Sequence, residues 1–175
     1  MLWTHLIIRW IIRTGKGAQG VLLVEPYKSE ILPHWKFKTP VLAKKSSKKI
    51  YQLFLQYKKE NDFVGMDMAR KFLQMGYTRS RRYANHKSGK KYKGPVPENK
   101  KGQSSAHGRE QLPLNVDLIK AESAIIFFKV WQKVKKNKLY QQLLKEHKAK
   151  YNRWLIPIFC FMHYYGDLKY TKANY

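Results

Sequence analysis

The stretch Asp62 to Lys93, DFVGMDMARKFLQMGYTRSRRYANHKSGKKYK, decides how this chain is read. Its first half carries a helical pattern. Asp62 is placed to cap a helix, and Val64, Met68, Phe72 and Met75 recur at three- and four-residue spacing as a buried stripe. Asp67, Arg70, Lys71 and Gln74 make the polar side, with Asp67 and Lys71 spaced for an i, i+4 ion pair. Gly76 stands where a glycine just past the last turn would close such a helix. Beyond it, Tyr77 to His86 (YTRSRRYANH) alternates aromatics with guanidinium groups, and a lysine-rich segment follows.

Working toward the N-terminus, Asn61 and Asp62 join this helix to a second one. Thr39 and Pro40 give the earlier helix its start, with Thr as N-cap and Pro at the first helical position. Ile50, Leu53, Phe54 and Tyr57 form its apolar face while lysines crowd the rest, and it ends near Glu60. Two helices so joined should pack together. Tyr27 to Lys38 reads as irregular or extended, with Ile31, Trp35 and Phe37 supplying core surface.

Gly15, Gly17 and Gly20 form G-x-G-x-x-G. A dinucleotide-binding domain needs that pattern to follow a strand and open a helix, so that helix-terminal N–H groups meet the pyrophosphate. Here Val21 to Glu25 (VLLVE) follows it, which reads as a strand ended by Pro26. A kinase-type glycine loop is excluded as well, because the chain has neither His-Arg-Asp nor Asp-Phe-Gly. A tight turn carrying positive φ is the better account.

Toward the C-terminus, Lys87 to Gly108 carries Gly, Ser, Pro and Lys with little apolar content and reads as a loop or mobile segment. A last helical region begins near Asp117 and runs to about Tyr151, with a break near Asn137. Ala124, Phe127, Phe128 and Trp131 form one apolar face, and Tyr140, Leu143, Leu144 and His147 the next.

At 175 residues, with 43% hydrophobic and 14% aromatic residues, the chain can build one ordinary core. Its 36 Lys plus Arg against 11 Asp plus Glu give a net charge of +25, a field that attracts polyanions. Lysine alone does not decide the matter, since lysines spread over most of the chain can simply be solvated. Arginine is scarcer and clustered: Arg70, Arg79, Arg81 and Arg82 all fall in the opening stretch. Cys160, the single cysteine, gives no disulfide framework or Cys-based metal site and suits a reducing compartment. The apolar runs Met1 to Arg13 and Trp154 to Tyr165 are too short or too charged to span a bilayer, so no stable membrane anchor is expected.

For catalysis, Glu25, Glu30, Asp62 and Asp67 are the acids near the core, and His34 and His86 the histidines; no spacing among them matches a catalytic device. No metal or cofactor is expected, and Met66, Met68 and Met75 read as core. Arg79, Arg81, Arg82, Lys87, Lys90 and Lys91, with Tyr77, Tyr83 and Tyr92 interleaved, are what a phosphate-tracking surface with stacking aromatics requires. Arginine also grips small anions bidentately, so a phosphorylated metabolite fits the same residues. If neither applies, the arginines pair with the scarce acids and the tyrosines are core.

GVLLVEPYKSEILPHWKFKTP (Gly20 to Pro40), DFVGMDMARKFLQMGYTRSRRYANHKSGKKY (Asp62 to Tyr92) and, more weakly, AESAIIFFKVW (Ala121 to Trp131) resemble an uncharacterised family of small cytoplasmic proteins, a domain of unknown function found in bacteria, some viruses and eukaryotes. The resemblance implies a cytoplasmic location and no activity. Its members begin with an acidic and aromatic segment and end soon after the last helix, patterns that residues 1–14 and 152–175 do not show.

The fold expected is α+β: a single, mainly helical domain over residues 15–151 with a small N-terminal β element and a basic loop at 87–108, flanked by divergent segments at 1–14 and 152–175. The function expected is non-enzymatic binding of DNA or RNA through Arg70, Arg79, Arg81, Arg82, Lys87, Lys90, Lys91, Tyr83 and Tyr92. One alternative is an enzyme or binding protein for a phosphorylated small molecule, centred on Tyr27, Lys28, Arg70, Arg79 and His86. Another is an interaction protein without an anion site.

Overall fold

The computed structural model describes residues 21–22, 24–101 and 105–152. The glycine pattern at residues 15–20 and both flanking segments, but for residue 152, lie outside them. Five helices lie wholly within the described residues: α1 (Tyr27–Ile31), α2 (Pro40–Lys59), α3 (Phe63–Asn85), α4 (Leu118–Lys135) and α5 (Lys138–Asn152). Short 3-10 turns occupy Leu32–His34, Lys87–Gly89 and Glu98–Lys100. The helices α2, α3 and α4 pack against one another, and α1 and α5 lean on α3.

Helix ends follow the side-chain caps. The Thr39 hydroxyl accepts from Leu42 N at 3.3 Å, and Asp62 Oδ1 accepts from Gly65 N at 3.1 Å. Asp117 Oδ1 caps α4 by accepting from Lys120 N at 3.0 Å, and Asn137 Oδ1 caps α5 by accepting from Tyr140 N at 3.2 Å. The α2–α3 turn is tight because Asn61 takes φ of 53°, a left-handed conformation that Asn adopts at low cost.

Two expectations are corrected. No strand occurs among the described residues, whose one β pairing is an isolated antiparallel bridge between Tyr92 and Gln111, so over those residues the fold is helical and the part of the expected N-terminal β element that falls on them, at residues 21–25, is not a strand. Val21 and Val24 are buried, Val24 O accepts from Lys28 N at 2.9 Å, and Tyr27 and Ile31 continue the buried row. Among the described residues of the Val21 to Glu25 run only Val21 is helical, Leu22 and Glu25 lie in turns and Val24 in no regular element, and α1 begins at Tyr27. A short valine-rich run satisfies strand and helix patterns equally, so its sequence alone does not decide between them.

Nor does α3 end at Gly76; it runs nine residues further, to Asn85. Gly76 is instead a contact point. A Cβ there would lie 2.5 Å from Phe127 Cδ1, and Phe127 is fully buried in α4. Gly65 does the same for α2, where a Cβ would meet Tyr57 Cγ at 2.5 Å. Glycine at these positions lets α2 and α4 approach α3 closely. Gly76→Val is therefore expected to cost about 2 kcal/mol or more in a denaturant titration, since the Phe127 ring has nowhere to go.

Candidate functional site

The C-terminal half of α3 sorts its residues by the 100° step of a helix. Ser80 and Ala84 fall on the core side and are buried, which turns Arg79, Arg81 and Arg82 outward, all three exposed. Tyr83 is half committed. Its ring lies 6.1 Å from that of Phe37 and against Gly89, where a Cβ would approach Cζ to 2.8 Å. Gly89 also has φ of 68°, so both backbone and space require glycine there.

The basic loop is tied to the helix end. Gly89 N donates to His86 O at 2.9 Å, Lys93 N to Glu110 O at 2.9 Å and Leu112 N to Lys91 O at 3.0 Å. Asn115 N then donates to Asn85 O at 3.0 Å and Asp117 N to Ala84 O at 2.8 Å. These bonds hold Lys87, Lys90 and Lys91 beside the arginines and quench the carbonyls that would make a helix C-terminus repel anions.

Two open grooves result. The larger, about 650 Å³, is lined by Arg82, Lys90, Lys91, Tyr92 and Arg109 together with the Gly94–Val96 backbone turn. The smaller, about 290 Å³, is lined by Arg81, Arg82, Asn85, His86, Lys91 and Gln111. Arg82 and Lys91 belong to both. The Tyr92 ring has Lys91 Nζ 5.3 Å and the Arg109 guanidinium 5.1 Å from its centroid, so its face already engages cations.

Among the described residues no ion pair involves Arg79, Arg81, Arg82, Lys87, Lys90 or Lys91. Three of the acids pair with other lysines. Glu25 pairs with Lys28 at 2.8 Å, Glu98 with Lys101 at 2.6 Å and Glu110 with Lys93 at 3.5 Å.

Arg70 does not join this cluster. Its Nε lies 2.8 Å from Asp67 Oδ1 and its Nη1 donates to Gln74 at 2.7 Å, well up the helix and mostly buried. Nor do Tyr27 and Lys28 meet His86. The Tyr27 hydroxyl donates to Asp62 Oδ2 at 2.7 Å, at the start of α3, whereas His86 caps its end. At 1.5 Å per residue, the 24 residues from Asp62 to His86 separate them by about 36 Å.

Arg109 is the residue that sequence reasoning missed. Three carbonyls hold its guanidinium, Ala106 at 3.0 Å, Ser105 at 3.1 Å and Gly94 at 3.5 Å. It lies one residue past the basic loop as read from composition, and only the rarity of arginine pointed to it. Nothing local marks the pairing that brings residues 110–112 against 91–93.

Among the described residues no helix is long and apolar enough to cross a membrane, and no three His, Cys, Asp or Glu side chains are grouped to hold a metal ion. No curated protein and no solved structure matches the chain. A family model does match, over residues 8–150, and with so much of the sequence covered the chain belongs to DUF4385, a domain of unknown function.

Proposed function

We propose that this chain is a non-enzymatic nucleic-acid-binding protein whose contact surface is the end of α3 and the loop that returns to it. The observation that carries this reading is that six exposed cations, Arg79, Arg81, Arg82, Lys87, Lys90 and Lys91, share one end of the molecule without a carboxylate partner among the described residues. A helix C-terminus favours one or two cations in its last turn. It does not account for a further three lysines and Arg109 gathered by the loop. Had the arginines been tied up in internal ion pairs, an interaction surface without an anion site would have been the better reading. Arg109 extends the set of contacts expected from the sequence, and Arg70 is left out of it.

The test is binding of labelled single- and double-stranded DNA and RNA across a salt series. Six phosphate contacts give a slope of log K against log salt of about −4 for single strands and about −5 for duplex. Weak binding with a flat salt response would remove the proposal. The second reading, a phosphorylated small molecule, draws on the concavity of both grooves, and a folded protein that ignores every polynucleotide but gains thermal stability with a phosphorylated metabolite would favour it.

A further inference from the structure

The backbone of His86 closes α3, and that role makes no use of its imidazole. It is 5% exposed, its Nδ1 is sealed without a hydrogen-bond partner, and the residue lines the smaller groove. Burying an imidazole nitrogen without a partner is costly, and an orphaned donor is rarer in folded proteins than an orphaned acceptor. With its proton on Nε2 the ring has one N–H to offer. The groove is lined by Arg81, Arg82, Lys91, Asn85 and Gln111 beside it, with Thr78 and Leu114, and no carboxylate residue is among them.

We infer that this groove seats a phosphomonoester, with Arg81, Arg82 and Lys91 supplying charge and His86 Nε2–H a buried hydrogen bond. The inference rests on reading the end of α3 as an anion surface, but not on that anion being a polynucleotide. A phosphomonoester offers three terminal oxygens and close to two negative charges, against two oxygens and one charge for a diester inside a strand. Two arginines, a lysine, a histidine and two amide residues border the groove, so more donors stand within side-chain reach of it than a diester can occupy. The volume, about 290 Å³, equals roughly ten waters. That is room for one phosphate group and its link to the rest of a ligand, which the adjoining larger groove, sharing Arg82 and Lys91, is placed to take.

The experiment compares a thymidine dodecamer carrying a terminal phosphate, at its 5′ or its 3′ end, with the hydroxyl-ended dodecamer and with a hydroxyl-ended strand two nucleotides longer as a charge control. Phenyl phosphate in a thermal-shift assay is the small-molecule arm. Wild-type protein should bind one of the phosphorylated ends about tenfold more tightly than either control. In His86→Leu the preference should vanish while hydroxyl-ended binding persists, and His86→Gln, whose amide reaches the Nε2 position, should recover part of it. Arg81→Ala, at an exposed position, should lose the preference in a protein whose folding is not in question. Equal binding of all strands, with no phenyl phosphate shift, overturns the inference and leaves nucleic-acid binding standing. If no strand binds yet phenyl phosphate stabilises wild type and not Arg81→Ala, the seat stands and the nucleic-acid reading falls.

Discussion

Replacing Arg79, Arg81 and Arg82 together by alanine should weaken polynucleotide binding about a hundredfold at low salt. Each exposed guanidinium–phosphate contact contributes about 1 kcal/mol, and a factor of ten in affinity is about 1.4 kcal/mol. The salt slope should fall with it, by about 2 for a single strand and about 3 for duplex, because three fewer counterions are released. Net charge alone predicts a smaller loss, so the comparison protein is Lys136→Ala/Lys138→Ala/Lys145→Ala, which removes the same three charges from exposed positions about the α4–α5 junction. That variant should keep most of its affinity. Folding is not the confounding factor here, since all three arginines are exposed and none has an ion-pair partner among the described residues. Equal losses in the two variants would mean that the chain attracts polyanions by its +25 charge and has no site at the end of α3.

That test also separates what was legible in the sequence from what was not. Wherever a side chain acts within one turn of its own backbone, the sequence sufficed: Thr39 and Asp62 cap the helices they were expected to cap, the last helical region begins at Asp117 as expected, and the break after α4 falls at Asn137. The Asp67–Lys71 pair forms, at 3.1 Å. Where the deciding contact comes from far along the chain, local reasoning misjudged it. Gly76 looks like a helix stop until Phe127, 51 residues later, is laid against it. Val21 to Glu25 reads as a strand from its residues alone, and none of its described residues is in one. The three arginines stand out in the sequence because their rarity and spacing are local properties, but their surroundings are not. Arg109, Gln111 and the tether of Asn115 to Asn85 arrive through a loop pairing that no periodicity announces. Arg70 is the clearest case, since its type fits an anion site and only the fold assigns it to Asp67.

Asp67→Asn should destabilise the protein by about 3–5 kcal/mol, the cost of leaving buried charges without their counter-charge. Asp67 is 2% exposed, with Arg70 Nε at 2.8 Å, Lys71 Nζ at 3.1 Å and the Tyr140 hydroxyl donating to Oδ1 at 2.7 Å. Burial by itself would raise its pKa, but Arg70, Lys71 and the Tyr140 hydroxyl outweigh it and hold the carboxyl below its ordinary value. Burial and the Asp67 carboxylate keep the Tyr140 phenol protonated in turn. Because the folded pKa is the lower one, the stabilisation is complete above the unfolded value of about 3.9 and is lost as pH falls through the folded value. Unfolding curves of wild type and Asp67→Asn should thus lie about 10 °C apart at pH 7 and draw together below about pH 4. A gap that persisted at low pH would point to packing and not charge. Removing both charges isolates the pair: Asp67→Leu/Arg70→Met should lose clearly less than the two single changes summed, since neither partner is then buried alone. Polyanion binding by any of these variants that remains folded should match wild type, because Arg70 belongs to the scaffold of α3 and the proposed anion surface begins about two and a half turns further on, at Arg79.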